Sequence, residues 1–189
     1  MRKLIILAAA AVLLTSRPDS YLSASTLQRL SLNDLIQKST MIVRGSVRPG
    51  TTAALRGSII YTHYQLAVAT VFKGTPGQAA GQFIDVAVPG GVLNGMQQPV
   101  AGAPTLLPGQ DCVFFLWTSR SGLTQVIGLS QGLFKVTTSS QGQVMISRGA
   151  ASEPMVDSSG QTVTDSNFQM PLAQLVRQIQ AVRTGGGSQ

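Results

Sequence analysis

Two periodicities divide the chain. Between residues 41 and 147 apolar side chains recur at alternate positions in a series of short runs, whereas residues 32–38 and 171–183 repeat them every three or four positions. Alternation puts successive side chains on opposite faces of a strand, and the longer period puts them on one face of a helix. The clearest run spans residues 58–72, where Thr62, Tyr64, Leu66, Val68, Thr70 and Phe72 interleave with Tyr61, His63, Gln65, Ala67, Ala69 and Val71. A run of this length is more than twice the usual strand, so it is expected to bend and to serve two parts of a closed sheet. Lys73-Gly74-Thr75-Pro76-Gly77 supplies the turn that ends it.

The same pattern predicts strands over 41–48, 82–88, 111–118 and 124–129, and a hairpin of 133–138 with 143–147 around Ser139-Ser140-Gln141-Gly142. Cys112, Val113, Phe114, Phe115, Leu116 and Trp117 are apolar on both faces, which predicts the most buried strand of the fold. A helix is expected over 32–38, with Ser31 capping it, Asp34 in its first turn, and Leu32, Leu35 and Ile36 on one face. A second helix is expected to open at Pro171, the position proline tolerates best. Its apolar stripe is Leu172, Leu175, Val176, Ile179 and Val182, with Arg177 and Arg183 toward its negative end. Gly185-Gly186-Gly187 stops it, and the tail beyond is expected to be disordered. Residues 149–169 read as a polar, irregular linker.

The N-terminus follows a different rule. Arg2 and Lys3 precede eleven consecutive apolar residues, Leu4 to Leu14, and a polar stretch follows. This is the layout of a secretory signal, and eleven helical residues cover only about half of a ~30 Å hydrocarbon core. Leu22-Ser23-Ala24 offers a cut before Ser25. The expectation is a signal peptide over 1–24, a periplasmic or secreted product, and no transmembrane anchor once the signal is removed. With one cysteine among 189 residues, no internal disulfide can form.

Composition changes the picture at two points. The chain has a formal net charge of +7, and removal of residues 1–24 leaves 11 basic and 6 acidic residues. After residue 24 no two basic residues are adjacent. A phosphate-tracking surface needs such charges gathered, so nucleic-acid binding is not expected. The second point is the connection 89–110, rich in Gly and Pro, within an interval 86–110 that holds no charged residue. Connections of this length usually have a task. Val92, Leu93, Met96 and Val100 are its candidate binding residues, suited to a protein partner if exposed and to covering one end of a barrel if not.

One catalytic motif is present. Gly128-Leu129-Ser130-Gln131-Gly132 matches G-x-S-x-G, whose serine needs a strand before it and a helix after it. Here a strand pattern follows, and the sole histidine, His63, lies 67 residues before the serine, against the hydrolase order. A serine hydrolase using Ser130 is therefore the alternative reading and a non-enzyme the preferred one. His63 and Cys112 cannot by themselves assemble a zinc site, and Asp157 with Asp165 is too sparse for calcium, so no metal or cofactor is expected. Cys112 reads as a small buried hydrophobe.

The stretch Ser39-Thr40-Met41-Ile42-Val43-Arg44-Gly45-Ser46-Val47, followed by Tyr64 to Phe72 closing on Lys73-Gly74, resembles the opening of netrin-like domains. These are OB-fold modules, also found in tissue inhibitors of metalloproteinases, in which an I-V-x-G-x-V strand precedes a long strand ending in Phe-Lys-Gly. The resemblance spans residues 32–129. The chain also resembles uncharacterised exported bacterial proteins that share Ile60-Tyr61-Thr62, Pro89-Gly90-Gly91, Gly102-Ala103-Pro104 and Phe115-Leu116-Trp117. The resemblance implies an OB barrel but no activity. The inhibitors chelate a protease zinc through an N-terminal cysteine, and none stands near the expected mature start here.

The expected architecture is thus mainly β, an OB-type antiparallel barrel of five strands or slightly more with a short N-terminal helix and a C-terminal helix. Residues 25–148 form the barrel domain, and 149–189 supply the irregular linker, the C-terminal helix and the Gly-rich tail. The expected role is an exported, non-catalytic interaction module for a protein or envelope component.

Overall fold

A computed structural model of the chain describes residues 26–74 and 81–185. The expected signal peptide, the end of the expected turn at 75–77 and the tail past 185 lie outside the described residues. In chain order the elements are β1 (Leu27–Gln28), α1 (Leu32–Lys38), β2 (Met41–Arg56), β3 (Ile59–Lys73), β4 (Phe83–Pro89), β5 (Gly91–Leu93) and β6 (Met96–Gln98). They continue with β7 (Asp111–Thr118), β8 (Thr124–Val126), β9 (Leu133–Thr138), β10 (Val144–Arg148), β11 (Met155–Val156), β12 (Thr162–Val163), β13 (Phe168–Pro171) and α2 (Leu172–Gly185).

The fold is mainly β with two helices. Its main sheet is antiparallel and follows the order β13-β10-β9-β7-β2-β3-β4, with β8 also paired to β7. β7 gives one edge to β2 and divides the other, pairing β9 through Cys112–Phe114 and β8 through Leu116–Thr118. The sheet therefore forks at β7. β8 lies alongside β4, yet no hydrogen-bonded ladder joins them among the described residues, and no closed barrel is found. The expected closure of the long strand into two parts of a closed sheet is not what pairs it. β3 instead runs beside β2 along its whole length and beside β4 from Thr62 to Ala67.

Period-two patterning builds two cores that share one wall. From β2 and β7, Met41, Val43, Val47, Cys112, Phe114 and Leu116 enter the first core, where they meet Leu66, Val68, Val86, Val88 and Val126. The alternate residues Ile42, Val113 and Phe115 enter the second, against Leu35 and Ile36 of α1, Leu175 and Ile179 of α2, Phe134 and Ile146. Phe115 and Phe134 pack with ring centroids 5.3 Å apart, the tilted geometry that aromatic quadrupoles favour. Trp117, expected in the buried run, is 43% exposed, because the run leaves the cover of both cores at that point.

Local chemistry sets the element ends. Ser31 Oγ accepts from the Asp34 amide at 3.1 Å and Asp34 Oδ2 accepts from the Ser31 amide at 3.0 Å, a reciprocal cap on α1. The Ser31 hydroxyl also donates to Asp34 Oδ2 at 2.6 Å, and this bond, with that from the Ser31 amide, holds the Asp34 carboxyl below its ordinary range. Lys73 Nζ donates to the carbonyls of Ile36 and Gln37 at 2.6 and 3.1 Å, which ties β3 to the negative end of α1. Pro171 does not open the second helix. It ends β13, an edge strand where a missing amide costs nothing, opposite Met145.

Two further differences bear on the site. β2 was expected to stop at residue 48 and continues to Arg56, because a bulge at Arg48-Pro49-Gly50 lets the ladder resume from Thr51 opposite Tyr64. The connection 89–110 is not wholly irregular, since β5 and β6 form a hairpin within it. Asn94 and Gly95, at φ 51° and 78°, are its turn residues, as a two-residue turn of this hand requires.

Candidate interaction surface

Past the bulge, β2 and β3 project as a two-stranded arm. The ladder to β7 stops at Ser46 and the ladder to β4 starts at Thr62, so residues 54–61 have no ladder partner in the main sheet beyond each other, and Tyr61 makes only an isolated bridge to Gly90. A Gly57-Ser58 turn closes the arm, with Gly57 at φ 61°. Ile60 nevertheless is only 1% exposed, because the β5–β6 hairpin lies over it. The hold is polar and specific. Gln98 Oε1 accepts from the Ile60 amide at 2.6 Å, and its Nε2 donates to the Ser58 carbonyl at 3.0 Å. The Gly90 amide donates to the Ile60 carbonyl at 2.7 Å, and Thr62 Oγ1 donates to the Gly90 carbonyl at 2.8 Å. A Cβ at Gly91 would overlap Thr62 Oγ1, so the hairpin can sit this close only with glycine there.

This clamp displays apolar side chains instead of hiding them. Met96 is 67% exposed, Val92 60% and Leu55 58%, with Ile59 at 38%. Of the four residues singled out in the sequence, Val92 and Met96 stand in solvent, while Leu93 and Val100 are half-buried. Val100 turns back toward Gly90, and farther along the same connection Leu106 is buried in the first core. The uncharged segment therefore exposes side chains along its first part and buries Leu106 against the core with its second.

Register fixes which way the exposed groups face. Leu55 is opposite Ile60, on the face under β5–β6, while Ile59 is opposite Arg56 on the reverse face. Likewise Met96 is opposite Leu93, and Val92 is opposite Gln97 on the other side of the hairpin. Within residues 49–62 and 86–110 the sole charged side chain is the exposed Arg56, and no Asp or Glu occurs from 35 to 84.

The chemical candidates lie elsewhere. Ser130 sits in a single 3-10 turn, Leu129–Gly132, that leads straight into β9 and not into a helix. Gly128 is left-handed at φ 62°, and a Cβ on Gly132 would press on the Ile127 carbonyl, so turn packing accounts for both glycines of the motif. Ser130 lines an open cleft of about 350 Å³ with Lys135, Arg148 and Glu153, and His63 lines a separate one with Thr52 and Gln65. His63 Nδ1 lies 2.8 Å from Asp85 Oδ2. Burial pushes the Cys112 thiol up to about 11, with Asp111 adding to it and Lys135 opposing, so it stays protonated at neutral pH. Among the described residues no group of three or more His, Cys, Asp or Glu could hold a metal ion.

No family model, curated protein or solved structure matches this chain.

Away from the arm, a cleft of about 650 Å³ is lined by the apolar Leu35, Phe134 and Phe168 and by the charged Arg29, Asp34 and Lys38. It adjoins a pair with a structural task. Arg148 grips the buried Asp165 through both terminal nitrogens, and the Ala151 amide donates to Asp165 at 2.8 Å. Burial alone would raise the Asp165 carboxyl, but these donors and the Ser166 amide outweigh it and hold it at about 2. The pair ties the 149–167 segment to β10.

Leu55, Ile59 and Gln98 were not among the candidates read from sequence. The usable signals were Gly57-Ser58 and Asn94-Gly95, each a two-residue hairpin turn between apolar runs.

Proposed function

We propose that the chain is an exported, non-catalytic interaction module, and that the end formed by the arm and the β5–β6 hairpin is where it meets a protein or envelope component. The observation that carries this reading is the clamp. Four backbone-directed hydrogen bonds and an obligatory glycine fix a hairpin whose most prominent side chains, Val92 and Met96, are left in water. Rigidly displayed apolar groups lose little freedom on binding, so they suit a surface that works by contact. The fold reading that accompanies it is an OB-type arrangement, with β2, β3, β4, β8 and β7 taken as the five strands of a barrel left open between β4 and β8. The netrin-like resemblance over residues 32–129 supports that assignment and brings no activity with it.

The test compares the natural protein with the double variant Val92→Ser, Met96→Ser. A thermal melt should change little, because both side chains already sit in solvent, while capture of a component from the envelope fraction should be lost. Unchanged capture by the variant overturns the proposed surface.

A further inference from the structure

We propose that this end of the molecule docks end-on against an anionic lipid surface, with Leu55, Ile59, Val92 and Met96 entering the interface and Arg56 meeting headgroup phosphates. The inference rests on the reading of this end as the working surface and names its partner. Geometry separates a lipid surface from a protein face. Leu55 and Ile59 point to opposite faces of the arm, and Val92 and Met96 to opposite faces of the hairpin. One flat contact cannot cover all four, whereas immersion of the tip covers them together. The end of the arm also lies past the last rungs of the ladders to β4 and β7. Its backbone is suited to such a setting, since the β2–β3 ladder runs out to Arg56 and Ile59 and the β5–β6 ladder pairs Gly91 through Gln98.

Charge points the same way. Arg56 is the sole charged residue of the two tip segments, with no carboxylate from 35 to 84 to repel an anionic surface. Apolar side chains at a tip with a basic residue among them match the two attractions that hold a protein at an anionic interface.

The experiment uses the full chain with Val92→Cys carrying an environment-sensitive fluorophore, and a control with the same label at Ser140→Cys, in the turn between β9 and β10. Cys112 is buried and protonated and does not compete for label. The probes are vesicles of phosphatidylcholine and phosphatidylglycerol in equal parts, and vesicles of phosphatidylcholine alone. The expected result is a blue shift at position 92 with the anionic vesicles, much weaker with the neutral ones, and none at position 140. Arg56→Gln should weaken vesicle affinity about fivefold, and Leu55→Ser with Met96→Ser by on the order of tenfold or more.

No shift at position 92, or equal shifts with both vesicles, overturns the proposal. A shift that grows with protein concentration in the absence of lipid also overturns it, in favour of a second copy of the chain. The outcome also separates two failures. If position 92 ignores lipid while capture from the envelope fraction still depends on Val92 and Met96, the lipid assignment falls and the surface stands. If both are insensitive, both fall.

Discussion

The two halves of β2 belong to one strand and obey different rules. Met41, Ile42 and Val43 are buried with β7 on one side and β3 on the other, and their side chains alternate between two cores. Thr51 to Arg56, past the bulge, have β3 alone as a ladder partner, and most of their side chains stay in solvent. Cover decides the use of an apolar side chain: in the first half it holds the fold, and in the second it is left available to another surface.

The largest effect that can break this comparison comes from truncating one residue in each half. Ile42→Ala removes a side chain with no exposure, and a loss of about 2–5 kcal/mol is expected from lost burial and the cavity left behind. Leu55→Ala should stay within about 0.5 kcal/mol, as for surface sites. Urea unfolding of the two variants reads both numbers, and comparable losses would mean that the arm is part of the stabilising core.

The next effect concerns the buried Arg148–Asp165 pair, which has no counterpart in the arm. Asp165→Asn leaves Arg148 buried without its carboxylate, and a loss of about 3 kcal/mol is expected at neutral pH. The folded carboxyl at about 2 lies below its unfolded value of roughly 3.9, so its contribution is present above about pH 4 and disappears as pH falls through about 2. In urea midpoints followed against pH, the natural protein should lose a component of about 2 kcal/mol across that window, and Asp165→Asn should lack it.

A smaller effect sharpens the arm itself. Gln98→Ala removes both side-chain bonds to Ser58 and Ile60, and a cost of about 1–2 kcal/mol is expected, confined to the hairpin. Limited proteolysis should then cut within 92–97 under conditions in which the natural protein is intact there. Resistance equal to the natural protein would show that Gln98 is not what clamps the hairpin.

Features decided by neighbours in sequence were legible. The Ser31–Asp34 cap spans three residues, the hairpin of β9 and β10 is announced by its turn, and β7 is a run of buried side chains whose bounds the pattern gives directly. Features decided by distant partners were not. Pro49-Gly50 reads as a strand terminus until β3 is seen to resume pairing beyond it, and Pro171 reads as a helix start until β10 lies opposite. Whether β4 meets β8 depends on how the sheet coils, which no local pattern carries. The site was half legible for the same reason. Val92 and Met96 stand out as apolar residues on an uncharged segment, but Leu55 and Ile59 become candidates only once β2 reaches Arg56. Asn94-Gly95 is itself a hairpin-turn signal, set within a segment whose Gly and Pro content reads as a loop.

The shared wall of β2 and β7 has a consequence for cooperativity. Because adjacent residues of each strand face different cores, β2 and β7 can part from each other only when the packing on both faces is lost. The amides of Val113 to Phe115 should therefore exchange with solvent hydrogen only through global unfolding, at a single free energy common to both sides of the sheet.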